Sequence, residues 1–437
     1  MKKENTTKNR NAGGRVLLFP AALMVALAAG SSMGAELVFK DATLSFQTLR
    51  TMGAAPGGGA DIGECLSTAY RIKAGSDESW YDQWHKTAVR LEKTADRFLA
   101  KGHRESAKEA YFRASNYYRT AEFFLHANPH DPRILKTWGK SRGLFIKAAG
   151  LSKTPIRPVE IPFEGTTLPG YLCLDGSGKK RPLIVAHSGF DGTAEELYFS
   201  LAFFAVRRGY HCLLFEGPGQ GRVIREQKIP FRPNWETVVA PVVDFALRQP
   251  EVVPDKIALI GYSMGGYLAP RAVAYEPRIK ACVANGGVYD FHAPQVKELG
   301  PEAEKMLDNP ARAEEIDKEI YEAMKTDTGV RWFFNDGMWK FGAKTPSELL
   351  RKTRPYNMKD CAGKITCRMF IIDSEKDTLI PGQAGQLYDA LKCPKDFHLF
   401  TAEQGAEEHC QVGASFLSNE IILNWLDETL QRDGAAR

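Results

Sequence analysis

The sequence predicts an α/β protein, a mostly parallel eight-stranded sheet preceded by an all-helical segment. Three observations predict it. From residue 158 onward, short apolar runs alternate with stretches of helical period. Residues 61–150 carry helical period with almost no strand signal. After the fifth apolar run the chain breaks into Gly261-Tyr262-Ser263-Met264-Gly265 and then into helix-compatible residues, a strand-to-helix turn with a serine at its apex. A length of 437 residues suits a large domain with an accessory one.

The chain opens with Lys2, Lys3, Lys8, Arg10 and Arg15 ahead of an apolar run over 16–29, then small residues ending at Ala35. That is the grammar of a secretory signal peptide over 1–35, cleaved after Met33-Gly34-Ala35. The run is short for a membrane span, and Pro20 interrupts it. Export is the expectation, to a bacterial periplasm, with membrane contact only through the transient leader. Eight cysteines in an exported chain permit disulfides. Cys173, Cys212 and Cys282 sit in strand-like runs and read as small buried hydrophobes, whereas Cys361 and Cys367 flank a turn and are the best placed to pair. No Cys/His spacing points to a metal, and no cofactor is expected. The net charge of +5 is small for this length and its basic residues are scattered, which argues against a nucleic-acid partner.

A Gly/Ala/Pro-rich link at 53–60 leads into the helices of an N-terminal helical domain, taken as 36–152. Tyr81, Trp84, Ala88, Leu91, Ala95 and Phe98 recur at spacings of three and four, one apolar helix face. Ala107, Ala110, Tyr111, Ala114, Tyr118, Ala121 and Leu125 form a second after the Lys101-Gly102 break. A helical hairpin or small bundle results, too small to be stable alone, so it leans on the larger domain and on the mouth above Ser263.

In the hydrolase-like part, 153–437, strands are predicted at 159–163, 168–174, 183–187, 211–215, 256–260, 281–284, 369–372 and 397–400. Helices are predicted at 194–207, 235–248, 266–274, 382–391 and 414–430. Eight strands in this alternation, an elbow after the fifth and a final helix form the α/β-hydrolase layout. Between the sixth and seventh strands an insertion at about 289–358 sits where a lid belongs, charged and helical first, aromatic after. Its Trp332, Phe333, Phe334, Met338, Trp339 and Phe341 either line an apolar pocket or attach the lid to the body.

In this layout Ser263 is the candidate nucleophile, with the Met264 N–H as one oxyanion donor. A serine hydroxyl needs a base, and the base needs an orienting carboxylate. His409, between the last strand and the last helix, is the candidate base; His292 falls in the insertion and His398 inside a strand. Asp377, four residues before Pro381, is the candidate acid, with Asp373 at the strand end as the alternative. The second oxyanion donor is assigned to the Phe190 N–H, where Gly189 lets the chain approach closely; His187 beside it reads as structural. Glu216-Gly-Pro-Gly-Gln-Gly221 reads as a tight turn at the pocket floor, without the Lys-Ser/Thr of a phosphate loop.

Gly59-Ala-Asp-Ile-Gly-Glu64, Asp77-Glu-Ser-Trp80, Trp84, Gly192-Thr-Ala-Glu-Glu196, Gly217-Pro-Gly-Gln-Gly221, the elbow, Asp377 and Glu408-His409-Cys410 together are specific. On them, most of the chain after the leader resembles the α/β-hydrolases with an N-terminal helical domain typified by 2,6-dihydroxypseudooxynicotine hydrolase, and more distantly FrsA-like esterases. The resemblance implies hydrolysis of a carbon–carbon bond next to a ketone, assisted by a glutamate after the third strand, here Glu195 or Glu196; a helix-start carboxylate favourable with the dipole is the plainer account of both. The function expected is therefore a serine hydrolase on an acyl or β-diketone-like small molecule, apolar or aromatic. An exported carboxylesterase or aminopeptidase-like hydrolase is the alternative, and a non-catalytic binding protein on the same fold a remote one. The sequence is compatible with a homodimer without specifying one.

Overall fold

One mixed sheet organises the chain, with strand order β1-β2-β4-β3-β5-β6-β7-β8. The coordinates are a computed structural model that describes residues 37–297 and 299–430. The strands are β1 (Ile156–Phe163), β2 (Thr166–Cys173), β3 (Arg181–His187), β4 (His211–Phe215), β5 (Val252–Tyr262), β6 (Ala281–Asn285), β7 (Arg368–Ser374) and β8 (Lys395–Phe400). β1 and β2 form a hairpin across Glu164 and Gly165, both at positive φ as a two-residue primed turn demands. β2 pairs antiparallel with β4, and every pairing from β4 through β8 is parallel. Parallel strands covered on both faces read as continuous apolar runs, which is why β4 and β6 are buried at every residue.

The helices before the sheet are α1 (Ala42–Met52), α2 (Ile62–Ala69), α3 (Asp77–Ala100), α4 (Arg104–Glu122) and α5 (Pro132–Ala149). Ser76 caps α3, and Gly102 at φ +78° turns the chain from α3 into α4. The two predicted faces meet there, and the Trp80 indole N–H donates to the Thr120 carbonyl at 2.7 Å. α4 is buried on all sides over its last two turns because α3, α5 and the sheet-side helices enclose it. Phe112 and Phe145 carry this contact onto the body, with ring centroids 5.6 Å from Phe199 and 4.7 Å from Tyr171.

The remaining helices are α6 (Ala194–Leu197), α7 (Phe203–Arg207), α8 (Glu236–Leu247), α9 (Gly265–Val273), α10 (Ala293–Lys297), α11 (Ala303–Leu307), α12 (Pro310–Thr326), α13 (Thr328–Phe341), α14 (Pro346–Thr353), α15 (Gln383–Ala390) and α16 (Ser415–Thr429). α10 to α14 fill the insertion between β6 and β7. The helix predicted at 194–207 is interrupted by a π turn, Tyr198–Ala202, between α6 and α7. The Ser200 carbonyl in that turn accepts the Asn419 side-chain amide of α16 at 2.8 Å.

The sequence left the pairing of Cys361 with Cys367 open, and the structure does not form it. All eight cysteines are free, Cys361 and Cys367 included. Cys361 is buried with its thiol against the Met358 carbonyl, whereas Cys367 lies near Cys393 and Cys282, so the two thiols face different neighbours. The expected leader, 1–35, lies outside the described residues. Among those described, no helix is long and apolar enough to cross a membrane, and no group of His, Cys, Asp and Glu is placed to hold a metal ion.

Candidate active site

Ser263 stands between β5 and α9 at φ +60°, a conformation that costs energy for a residue with a Cβ and persists only where its surroundings impose it. Those surroundings are visible. The Ser263 N–H donates to the Asn285 carbonyl at the end of β6, 2.8 Å away, and a Cβ on Gly261 would lie 2.0 Å from the Gly265 carbonyl oxygen. Only glycine lets the strand turn this tightly into the helix.

His409 and Asp377 meet on the two loops beyond the elbow. The ring Nδ1 of His409 lies 2.6 Å from Asp377 Oδ2, and Asp377 Oδ1 accepts the N–H groups of Leu379 and Ile380 at 3.0 and 3.3 Å. Burial works against a charged imidazole, but the Asp377 carboxylate overrides it and holds His409 well above the ordinary histidine range. Asp373 accepts the Ser374 N–H instead, at the end of β7, where burial and the nearby Asp377 raise its carboxyl. Cys410 follows His409 at φ +53°, its thiol 3.5 Å from His409 Nε2 and 3.4 Å from the Asn285 carbonyl. The Ser263 hydroxyl makes no hydrogen bond to the ring among the described residues, and such bonds tighten when substrate binds. A Cβ on Gly286, one residue after the Asn285 that holds Ser263, would lie 3.5 Å from His409 Cε1, so the ring packs beside the segment that anchors the elbow.

The loop after β3 passes directly over the elbow. A Cβ on Gly189 would lie 2.6 Å from the Met264 nitrogen and 2.5 Å from the Tyr262 carbonyl oxygen. Glycine is the residue that fits there, which brings the Phe190 backbone beside that of Met264. The loop's carbonyls are held from the far side: Gln220 Nε2 donates to Ser188 O at 2.7 Å and Gly189 O at 3.0 Å, and Lys340 Nζ donates to Phe190 O at 2.8 Å. A peptide is planar and trans, so pinning a carbonyl on one side turns the following N–H to the other. His187 lies beneath, wedged between Phe215 and Trp235, with burial pushing it down to about 4; it is a neutral packing group.

Glu195 and Glu196 point to different places. Glu195 accepts the Tyr171 hydroxyl at 2.5 Å, on the β2 side. Burial, and Glu195 beside it, push Glu216 up to about 7, where its oxygens accept the N–H groups of Ala194 and Arg222. Glu196 turns toward the helices, clasped by Arg50 at 2.6 and 2.7 Å with Arg119 at 3.7 Å. Burial disfavours its charge, but Arg119 and Arg50 hold it below the ordinary carboxylate range. Arg50 also reaches Asp191 at 3.0 Å.

The aromatic residues of the insertion attach it to this loop and to the N-terminal helices. Phe333 stacks on Phe190 at 5.4 Å, Trp332 on Phe123 at 5.8 Å, and Trp339 lies 4.7 Å from the His126 ring. His292 is absorbed in the same insertion, bonded to Thr353 and Glu304, and His398 packs on Phe400 in β8. Arg50, Arg119, Gln220, Asn285, Lys340 and Gln411 escaped the sequence reading. Gln220 alone had a signal, its place in the Gly-rich turn after β4.

A sheet of this order, with a strained serine between a central strand and the following helix, defines an α/β-hydrolase. The chain belongs to the alpha/beta hydrolase family, whose model matches residues 177–402, and it is a hydrolase enzyme. It is 36% identical over 418 residues to Hydrolase LUC6 of a Fusarium species, spanning 91% of this chain and 99% of that one. It is 35% identical over 424 residues to 20-hydroxy-prefusarin hydrolase FUS2 of Gibberella moniliformis, again 91% and 99%. The crystal structure of 2,6-dihydroxy-pseudo-oxynicotine hydrolase has the same fold, with a TM-score of 0.67 at 22% identity over 87% of this chain and 95% of its own.

Proposed function

We propose that the protein is a serine hydrolase in which Ser263, His409 and Asp377 cleave an acyl or β-diketone-like small molecule. The observation that carries the reading is Ser263 at φ +60°, bound through its N–H to Asn285, with the Asp377–His409 pair on the adjoining loops. Ser263 Oγ attacks the carbonyl carbon and its proton passes to His409 Nε2. The Met264 and Phe190 N–H groups receive the oxyanion. Collapse breaks the C–O bond of an ester, or the C–C bond of a β-diketone whose leaving carbon departs as an enolate. His409 returns the proton to the leaving group, and water then frees the acyl group from Ser263 by the same steps in reverse.

A carbon–carbon substrate needs its enol handled, and the candidate is Glu196, held by the Arg50 that also reaches Asp191 of the loop. Ionised beside Arg50, it is suited to accepting an enol hydroxyl. Glu195 is instead occupied by the Tyr171 hydroxyl. The name of one relative, 20-hydroxy-prefusarin hydrolase, supports a small-molecule substrate for the hydrolysis. We also propose export through the residues 1–35, checked by the N-terminal sequence of the mature protein. Labelling with a fluorophosphonate, followed by a screen of aryl esters against β-diketones, tests the central reading. Absence of label on Ser263 overturns it, and a preference for plain esters by orders of magnitude points to a carboxylesterase.

A further inference from the structure

Lys340 is an ammonium with almost no exposure, in a wall of aromatic side chains. A buried cation is costly unless paired, and its contacts show what it serves. Its Nζ donates to Asp336 Oδ2 at 2.7 Å and to the Phe190 carbonyl at 2.8 Å. A bridge that only braced α13 would end at Asp336. Instead Asp336 faces His126 Nδ1 at 2.6 Å, His126 Nε2 faces Glu122 Oε2 at 2.7 Å, and Glu122 pairs with Arg225. Charges alternate along this line, and all five side chains are buried. Asp191, itself paired with Arg50, is the further acidic group near Lys340.

The five residues come from three parts of the chain. Lys340 and Asp336 lie on α13, Glu122 and His126 at and just beyond the end of α4, and Arg225 in the π turn Val223–Gln227 that follows β4. Phe190 sits between two pinned peptides, because Gln220 holds the carbonyl before it and Lys340 holds its own. Gln220 sets the plane of the peptide that carries the Phe190 N–H, and Lys340 fixes the next peptide, so that Phe190 is left little freedom in φ and ψ to turn between them.

We infer that Lys340 is a positioning residue for the oxyanion loop, and that the buried chain from Lys340 through Asp336, His126 and Glu122 to Arg225 ties the Phe190 N–H to the docking of the N-terminal helices and the inserted helices. The inference rests on the reading of Ser263 as nucleophile and Phe190 as oxyanion donor. The oxyanion site is complete only when all three parts are packed. Lys340 touches no reacting atom and acts through Phe190.

The test uses the full-length protein. Lys340→Met alone strands Asp336, so the variant is Lys340→Met with Asp336→Leu, and Lys340→Gln with Asp336→Asn is the second pair should the first not fold. Turnover of an activated aryl ester and inhibition by a trifluoromethyl ketone, which forms a tetrahedral oxyanion adduct on the serine, are measured with fluorophosphonate labelling. Loss of an oxyanion donor's alignment predicts kcat down by about 30-fold or more, KM within about threefold, and ketone affinity down in step with kcat. A folded variant with unchanged kcat, or with reduced kcat but unchanged ketone affinity, overturns the positioning role. Glu122→Gln with Arg225→Met should show the same split more weakly, and unchanged kcat there overturns the link to the N-terminal helices. Wild-type protein that fails to label at Ser263 overturns the hydrolase reading and this inference with it; labelling at Ser263 with no effect of Lys340 overturns the inference alone.

Discussion

The Asn285 side-chain amide donates to Gln411 Oε1 at 2.9 Å, joining the end of β6 to the loop that carries His409. Gln411 is further held by Ser418 at 3.0 Å and by its own bond to Ser374 at 3.0 Å. Through its carbonyl, Asn285 also holds Ser263. One residue therefore sets the spacing between the proposed nucleophile and base. Asn285→Ala is expected to cost about 1–3 kcal/mol, because Gln411 loses a buried donor, and to lower turnover by about tenfold or more through misalignment. Thermal denaturation and steady-state kinetics check both, and stability lost with turnover intact refutes the spacing role.

Ser263→Ala is expected to abolish labelling and cut turnover by about 10⁶-fold while the protein stays folded. The strained φ is imposed by Gly261 and Asn285, which the substitution leaves in place. Turnover within tenfold of wild type removes Ser263 from the mechanism.

The base must be neutral to accept the serine proton. Because Asp377 raises His409, activity is expected to rise with pH through a midpoint above the ordinary histidine value of about 6.5. Asp377→Asn should move that limb to lower pH and reduce turnover by about 10⁴-fold. Asp373→Asn should do neither, since its carboxylate serves the Ser374 N–H. The pH dependence of kcat/KM for the three proteins decides it.

Glu196→Gln is expected to slow cleavage of a β-diketone at least about tenfold more than hydrolysis of an aryl ester, because only the former passes through an enol. Equal losses on both substrates would reduce Glu196 to a partner of Arg50.

The buried junction of α4 with α13 should have its own pH window. Burial opposes the Glu122 charge, but Arg225 and His126 lower it to about 2, so its contribution is full above the unfolded value of about 4.3 and is lost as pH falls toward 2. Burial also opposes the His126 charge, which Glu122 and Asp336 nonetheless favour; its contribution is full below about 6.5 and is lost as pH rises through its raised folded value. Melting temperature followed against pH should therefore fall on both sides, and His126→Gln should abolish the alkaline fall.

The strands were legible because a parallel sheet covered on both faces writes itself as apolar runs, and 211–215 was matched to the residue. The loops of His409 and Asp377 were legible from chain order alone. α1 was not, because Leu44 is the one apolar residue of its buried face beside Ser45, Gln47, Thr48 and Thr51, and a single residue carries no apolar period. Arg50 was missed with it. Lys340, Asp336 and His126 were invisible for a different reason: charged residues in sequence read as solvated, and what buries them is far away, as Phe190 is from Lys340, 150 positions along the chain. The 194–207 helix was legible as a helix but not its π turn, which depends on what α16 offers the Ser200 carbonyl.

That π turn holds one residue more than an α-helix of the same span would take up. It behaves as an insertion the fold has absorbed, with Asn419 occupying the carbonyl the irregularity releases. Removing a single residue there would restore a regular helix and leave the side chains of α7 close to their present bearings, but it would redirect those inside the turn. Phe199, on which Gly57 and Gly59 close so tightly that a Cβ on either would come within 2.3 and 2.7 Å of it, would leave its seat. Along this segment the molecule should forgive changes of side chain far more readily than a change of length.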